Sequence, residues 1–567
     1  MSARRLALAA ASIGLLALAG CASSAPAAAP LPTVAPSPIA VAADAAPKPA
    51  LVHVQVLAFN DFHGHLEPPA GTPVGGVATL AAHIARLRAG NPNTVVVSAG
   101  DLTGASPLIS SLFRDEPTVL AMNRLGLDFE AVGNHDFDRG MDDLRRLQKG
   151  DCAEGNCGTG VFPGASYRYL AANVRDTATG ATVFPPYAIR AFGDVKVAFI
   201  GETLMGTPGV TTARAVKGLS FADEADTANA LVPELQRRGV AAIVLVVHQG
   251  GMQHGGTYDS CNELSGDLLS ILPRLDPAIH VVVSGHTHQA YDCTIDGRVV
   301  TSAGEYGKLV TAIDLAIDPA TRTLASVHAR NLPVTRDIPP DADLEALVAA
   351  YAARAHEIEA RVVGFVQRDL VGSAARAHTA SCETPLGDVI ADAMRESSGA
   401  DVAFMNPGGI RGDITASRPG RAPHVVTYAD AFEVEPFQNR LVTMTLTGAQ
   451  LQTLLERQFG TRDEPRILQV SRGFTYRYRY DRAAKRGTVS DLRLGGKPVK
   501  PAGEYHVTVP SFLAGGGDAF HVLTEGRDPR EGVVDVDALT AYLGKHGKES
   551  GALEPPATNR IDGDACR

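Results

Sequence analysis

The chain has no tryptophan among its 567 residues, and it shows no heptad pattern or internal repeat, which excludes coiled-coil and solenoid architectures. It also lacks any basic tract. With a formal net charge of −10, nothing along it can track a phosphate backbone, which argues against a nucleic-acid polymer as partner. Small anions remain as ligands only where a site supplies its own cations. Long apolar runs are missing too: the N-terminal run from Leu6 to Ala19 is shorter than the roughly twenty residues of a membrane-spanning helix.

That run follows Arg4 and Arg5 and leads into Leu18-Ala19-Gly20-Cys21, the form of an export signal. The small residues before Cys21 resemble a lipobox, so Cys21 would become the lipidated N-terminus of an exported, membrane-anchored protein. Ala22 in the next position fits outer-membrane sorting in a Gram-negative envelope. From 22 to 50 the chain is almost all Ala, Pro, Ser and Val, and reads as a flexible tether. Seven cysteines less Cys21 leave an even set, which in an exported protein suggests disulfides. They fall as Cys152 with Cys157, Cys261 with Cys293, and Cys382 with Cys566, although fifteen pairings are formally open. Cys152 and Cys157 close a short polar loop that could instead hold zinc, but no second Cys or His pair lies near it.

Reactive side chains gather where short Val- and Ile-rich runs end. LVHVQVLAFND delivers Asp61 and His63, NTVVVSAGD delivers Asp101, FEAVGNHD delivers Asn134 and His135, AAIVLVVHQG delivers His248, and HVVVSGHTH delivers His286 and His288. Helical patterns such as GGVATLAAHIARLRAG separate these runs, so strand and helix alternate and the candidate ligands collect at strand C-termini, where open α/β sheets place their sites. Any one of them reads blandly alone: Asp101 as a turn, His248 as a core histidine. Five strand ends carrying His, Asp or Asn together point to metal. Carboxylate, imidazole and amide oxygen suit Zn, Mn, Co or Fe, and the lack of thiolate argues against a structural zinc. Two such ions sharing a carboxylate can activate water for displacement at phosphorus.

NDFHGH at 60–65, the GD at 100–101, GNHDFDRG at 133–140, His248 and GHTH at 285–288 resemble, in order and context, the calcineurin-like metallophosphatase domain of the 5′-nucleotidase family. That family includes UDP-sugar hydrolases and 2′,3′-cyclic-nucleotide phosphodiesterases. NPGGIRGD at 406–413, VEPFQNRL at 434–441 and SFLAGGGDAF at 511–520 resemble its nucleotide-binding C-terminal domain. The resemblance implies an α/β chain: a metallophosphatase β-sandwich flanked by helices (α/β/β/α) over 51–335, a connector helix over 341–364, and a smaller α/β domain over 365–567. Residues 1–21 would be the lipoprotein signal. The connector pattern runs from Ala342 to Gly364, with Asp341 or Asp343 as cap and Gly364 as stop.

By the same resemblance Asp61, His63 and His288 hold one divalent ion and Asn134, His248 and His286 the other, with Asp101 between them. His135, oriented by Asp138, stabilises charge on the phosphoryl oxygens without ligating metal. Phe437 and Phe512 match the aromatics that sandwich the base, and Asn439 and Asp518 keep the family's spacing. Arg376, Asn406 and Arg411 match substrate-contacting positions. The chain departs from the pattern at Ala380, where several relatives carry a phosphate-binding Arg; either the phosphate clamp is one cation short or His378 replaces that Arg in part. It departs again at Pro407 in place of a Gly, and at His288 in place of Gln or Asn. The implied reaction is extracytoplasmic hydrolysis of nucleoside 5′-monophosphates by a metal-activated water. UDP-sugar or 2′,3′-cyclic-nucleotide cleavage is the alternative within the class, and a non-catalytic nucleotide-binding surface lipoprotein the alternative outside it. The reading leaves the oligomeric state open, a monomer being sufficient.

Overall fold

The computed structural model describes residues 50–69, 71–151, 162–415, 423–460 and 465–566. The export signal, Cys21, the tether and the Cys152/Cys157 loop lie outside the described residues. Residues from Pro49 onward form one compact unit, and no helix among the described residues is long and apolar enough to cross a membrane.

The first half is built on two six-stranded sheets. In one, Val52–Phe59 pairs in parallel with Thr94–Ser98, which is followed by Phe129–Ala131 and Arg168–Leu170; on its other side Val52–Phe59 pairs antiparallel with Leu309–Asp318. In the other, Val195–Thr203, Ala242–His248, Ile279–Ser284 and Arg298–Ala303 run parallel between antiparallel edges. The strands are apolar on both faces because both are covered, as buried parallel sheets require. Val54, Val56, Val95 and Val97 meet Val197, Phe199, Val244 and Val281 between the sheets. Leu57, Phe59 and Val96 point the other way, toward the helices Val77–Gly90, Glu116–Leu125 and Ala342–Glu359. On the far side Ile243, Leu245 and Val247 pack on Ala225, Ala228 and Val232 of the helix Glu224–Arg237. The result is the α/β/β/α arrangement.

Asp341 caps the helix Ala342–Glu359, its side chain accepting from Leu344 N at 2.9 Å. The helix stops short of Gly364, the stop expected from sequence. Val362–Val366 instead forms a strand antiparallel to His424–Thr427. Its β-branched residues favour that state, and a Cβ on Gly364 would come within 2.8 Å of Leu543 O. The second half carries a five-stranded sheet with Val402–Met405, Glu504–Pro510 and Arg440–Thr447 at its centre. The helices Pro385–Ser398 and Asp535–His546 pack on it. Disulfides join Cys261 to Cys293 and Cys382 to Cys566.

Candidate metal centre

All five ligand-bearing runs end at the C-terminal ends of parallel strands. There the chain turns sharply: Asp61, His63, Asp101, His286 and His288 have φ of 48°, 48°, 51°, 72° and 56°, a left-handed backbone that costs about 1–3 kcal/mol per residue and persists only where surroundings enforce it. The enforcement is visible, since Asp61 N donates to Gly100 O at 3.0 Å and His63 N to Asp101 O at 2.9 Å. Gly133 lies so close that a Cβ on it would sit 2.1 Å from Asp101 Oδ1.

These turns bring the predicted ligands together. Asp61, His63 and His288 each offer a ligand atom within 4.8 Å of the others, and so do Asp61, Asp101 and His248. Asp61 therefore reaches both groups, where sequence reasoning assigns the shared position to Asp101 alone. Asp101 Oδ2 does lie between the groups, 3.6 Å from His63 Nε2 and 3.0 Å from His248 Nε2. Asn134 Oδ1 is 3.1 Å from His248 Nε2. His286 N donates to both carboxylate oxygens of Asp61, at 3.1 and 3.0 Å, and its ring lies 5.4 Å from that of His248.

The donor set fits divalent metal. His63 Nδ1 is 2.8 Å from Gly104 O, His248 Nδ1 2.7 Å from Ala99 O, and His288 Nδ1 2.7 Å from Glu305 Oε2. Carbonyl and carboxylate oxygens only accept, so each Nδ1 carries a proton and Nε2 is the ring nitrogen left to turn to a metal. Yet His63 Nε2 and His288 Nε2 face each other at 3.2 Å, and His248 Nε2 faces two oxygens. A divalent cation among them would bind all of these groups at once. Burial alone would depress His248, but Asp101 beside it holds the imidazole up at about 9. Burial keeps His63 well below its ordinary value, so it stays neutral. Although burial works against its ionised form, Asp101 is kept far below the carboxylate range by His248 and His135.

Several supporting residues escaped the sequence reading. Asp136 accepts from Asp101 N at 3.0 Å, Gly133 N at 2.8 Å, Thr103 N at 3.0 Å and Thr103 Oγ1 at 2.8 Å, tying the second and third ligand loops together. Asn60 Nδ2 donates to Asp61 Oδ2 at 2.7 Å while its own oxygen accepts from Ala303 N. Glu305 accepts from His288 through one oxygen and from Lys308 Nζ at 2.6 Å through the other. These contacts outweigh burial and bring Glu305 down to about 2. Asn60 and Asp136 lie within the NDFHGH and GNHDFDRG motifs, but no local pattern marks Glu305.

His135 donates through Nδ1 to Asp138 Oδ2 at 2.9 Å, and its backbone N–H donates to Asp101 Oδ1 at 2.8 Å. Against its ring, at 5.3 Å between centroids and 21° from parallel, lies Phe437 from the second half of the chain, with Arg411 Cζ 5.7 Å from the Phe437 centroid. Phe512 is half-buried and packs on the C-terminal core. Asn439, expected at the substrate, is 7% exposed, and its oxygen accepts from Ser511 Oγ at 3.1 Å and Phe512 N at 3.2 Å, so it fixes the Phe512 loop. Asn406 Nδ2 donates to Asp518 Oδ2 at 3.0 Å, and Arg466, which the sequence reading did not single out, pairs with the other oxygen of Asp518. The side chain of Arg376 lies outside the described residues.

Residues 54–290 match the family described as calcineurin-like phosphoesterase, and residues 362–525 that described as 5′-nucleotidase, C-terminal domain. The chain is 31% identical over 507 residues to Endonuclease YhcR of Bacillus subtilis (strain 168), an alignment covering 87% of this chain and 40% of that protein. It is 30% identical over 507 residues to Cell wall protein Lmo0130 of Listeria monocytogenes, covering 83% of this chain and 64% of that one. It thus spans less than two thirds of the length of either relative. The solved 5′-nucleotidase precursor of Thermus thermophilus superposes with a TM-score of 0.74 at 27% identity, over 90% of this chain and 99% of that one.

Proposed function

The chain belongs to the 5′-nucleotidase family, joining a calcineurin-like phosphoesterase domain to a 5′-nucleotidase C-terminal domain, and on that premise we propose that it hydrolyses nucleoside 5′-monophosphates to nucleoside and phosphate. Asp61, His63 and His288 would hold one divalent ion, Asn134, His248 and His286 the other, and Asp101 both. Such a pair, when bound, lowers the pKa of a water and neutralises charge on the phosphoryl oxygens.

The observation that carries the nucleotide reading is Phe437 lying face to face with His135. An aromatic of the C-terminal domain, with a guanidinium beside it, adjoins the group placed to act on phosphorus. His135, its Nδ1 proton held by Asp138, presents Nε2 to a phosphoryl oxygen and stabilises the charge that develops there. Phe437 and Phe512 bind the base, Asn439 holds the Phe512 loop, and Arg376, Asn406, Arg411 and Asp518 contact the substrate, Asn406 also donating to Asp518.

We place the protein outside the cytoplasm, anchored by lipid on Cys21. The signal-like N-terminus and the two disulfides support that compartment. Phosphate release from AMP, UDP-glucose and 2′,3′-cyclic AMP, with cleavage of DNA as a further arm because one relative is named an endonuclease, tests the reading across Zn, Mn, Co and Fe. AMP is expected to be the best substrate. Preference for another arm overturns the assignment, and no hydrolysis with any metal would favour a nucleotide-binding lipoprotein.

A further inference from the structure

One tetrapeptide, Glu305-Tyr306-Gly307-Lys308, touches all three candidate ligands of the first ion. It links the strands Arg298–Ala303 and Leu309–Asp318, with Tyr306 and Gly307 both left-handed at φ 57° and 64°. Glu305 Oε2 accepts from His288 Nδ1 at 2.7 Å. Tyr306 N donates to Asp61 O at 2.8 Å, and the Tyr306 ring lies edge-on to His63 and His288, with centroids 6.1 and 5.8 Å away. Of these contacts only the one from Glu305 brings a full negative charge to a ligating imidazole. His63 and, in the second group, His248 lean on the neutral carbonyls of Gly104 and Ala99.

A carboxylate behind a ligating imidazole fixes the ring and strengthens its free nitrogen as a donor. Lys308 Nζ, 2.6 Å from the other oxygen of Glu305 and 4.9 Å above the Tyr306 ring, draws on the same charge and weakens that effect. We propose that Glu305 is a positioning residue that sets the affinity of the first metal site selectively, and that Lys308 moderates it. The inference rests on the two-ion reading above.

The test is a calorimetric titration of metal-free full-length protein with zinc and with cobalt(II), checked by elemental analysis of bound metal. Glu305→Gln keeps an oxygen to accept from His288 Nδ1 and removes the charge; it is expected to weaken one of two sites by roughly 10- to 100-fold and leave the other unchanged. Lys308→Met, which removes the moderating charge, is expected to tighten that same site. Opposite shifts from neighbouring substitutions cannot come from loosened packing. Wild-type-like binding of both ions by Glu305→Gln, or equal weakening of both with a lower Tm of the metal-free protein, overturns the proposal. Weaker or unchanged binding by Lys308→Met removes the moderating role. Fewer than two ions on the wild type would instead sink the two-ion reading and this inference with it.

Discussion

Phe437 and His135 lie face to face, 5.3 Å between centroids, although they come from different halves of the chain. His135 is thereby bounded by Asp138 at its Nδ1 edge and by an aromatic ring on its face. On the proposed function that placement separates three roles which substitutions can tell apart: holding metal, stabilising charge at phosphorus and gripping the base.

Asp101→Ala should lose bound metal and activity together, because Oδ2 adjoins His63 and His248 from the two groups. His135→Ala should keep its metal and lose turnover by about 100- to 1000-fold, the scale of removing one transition-state donor. Elemental analysis beside kcat decides it; a His135→Ala protein without metal would make His135 a ligand.

Phe437→Ala and Phe512→Ala should each lower kcat/KM for AMP relative to that for p-nitrophenyl phosphate. Aromatic stacking is worth about 1 kcal/mol, or roughly fivefold in that ratio. An unchanged ratio in both variants would return the rings to packing and leave a general phosphatase.

The disulfide Cys382–Cys566 spans 184 residues of sequence and Cys261–Cys293 spans 32. In the chain-entropy treatment the longer loop contributes about 5 kcal/mol and the shorter about 3.5 kcal/mol. Cys566→Ser should accordingly lower the urea midpoint more than Cys261→Ser. Thiol titration of denatured, unreduced protein lacking Cys21 should read near zero; a count near two would leave Cys152 and Cys157 unbridged.

Asp388 is fully buried, and burial lifts its carboxyl to about 9 even though Arg560, with Nε 3.3 Å from Oδ2, pulls it down. The folded chain keeps a proton there that an unfolded Asp releases near pH 4. This group's stabilisation is complete below about pH 4 and declines as pH rises toward 9, at up to about 1.4 kcal/mol per unit. Asp388→Asn should flatten the unfolding free energy between about pH 5 and 8. Urea titrations across that range check it, and equal slopes in the two proteins would show that Asp388 ionises normally.

The sequence by itself determined the α/β architecture and the strand ends that carry the candidate metal ligands. Apolar runs closed by Asp61, Asp101, Asn134, His248 and His286 are local signals, because a strand buried on both faces is continuously apolar and the residue that ends it is read directly. The same locality misled at Gly364. It looks like a helix stop, but the chain turns to strand earlier because Val362–Val366 finds a partner in His424–Thr427 and Leu543 leaves no room for a side chain at Gly364. What only the tertiary structure decided is each group's non-local partner. Asp136 gathers the ligand loops, Glu305 stands behind His288, Asn439 turns away to hold Phe512, and Phe437 comes to rest on His135. Each of these pairs joins segments distant in sequence, so a pattern of period two or 3.6 carries no trace of it, and hydrogen bonding and packing select it only once the sheets have closed.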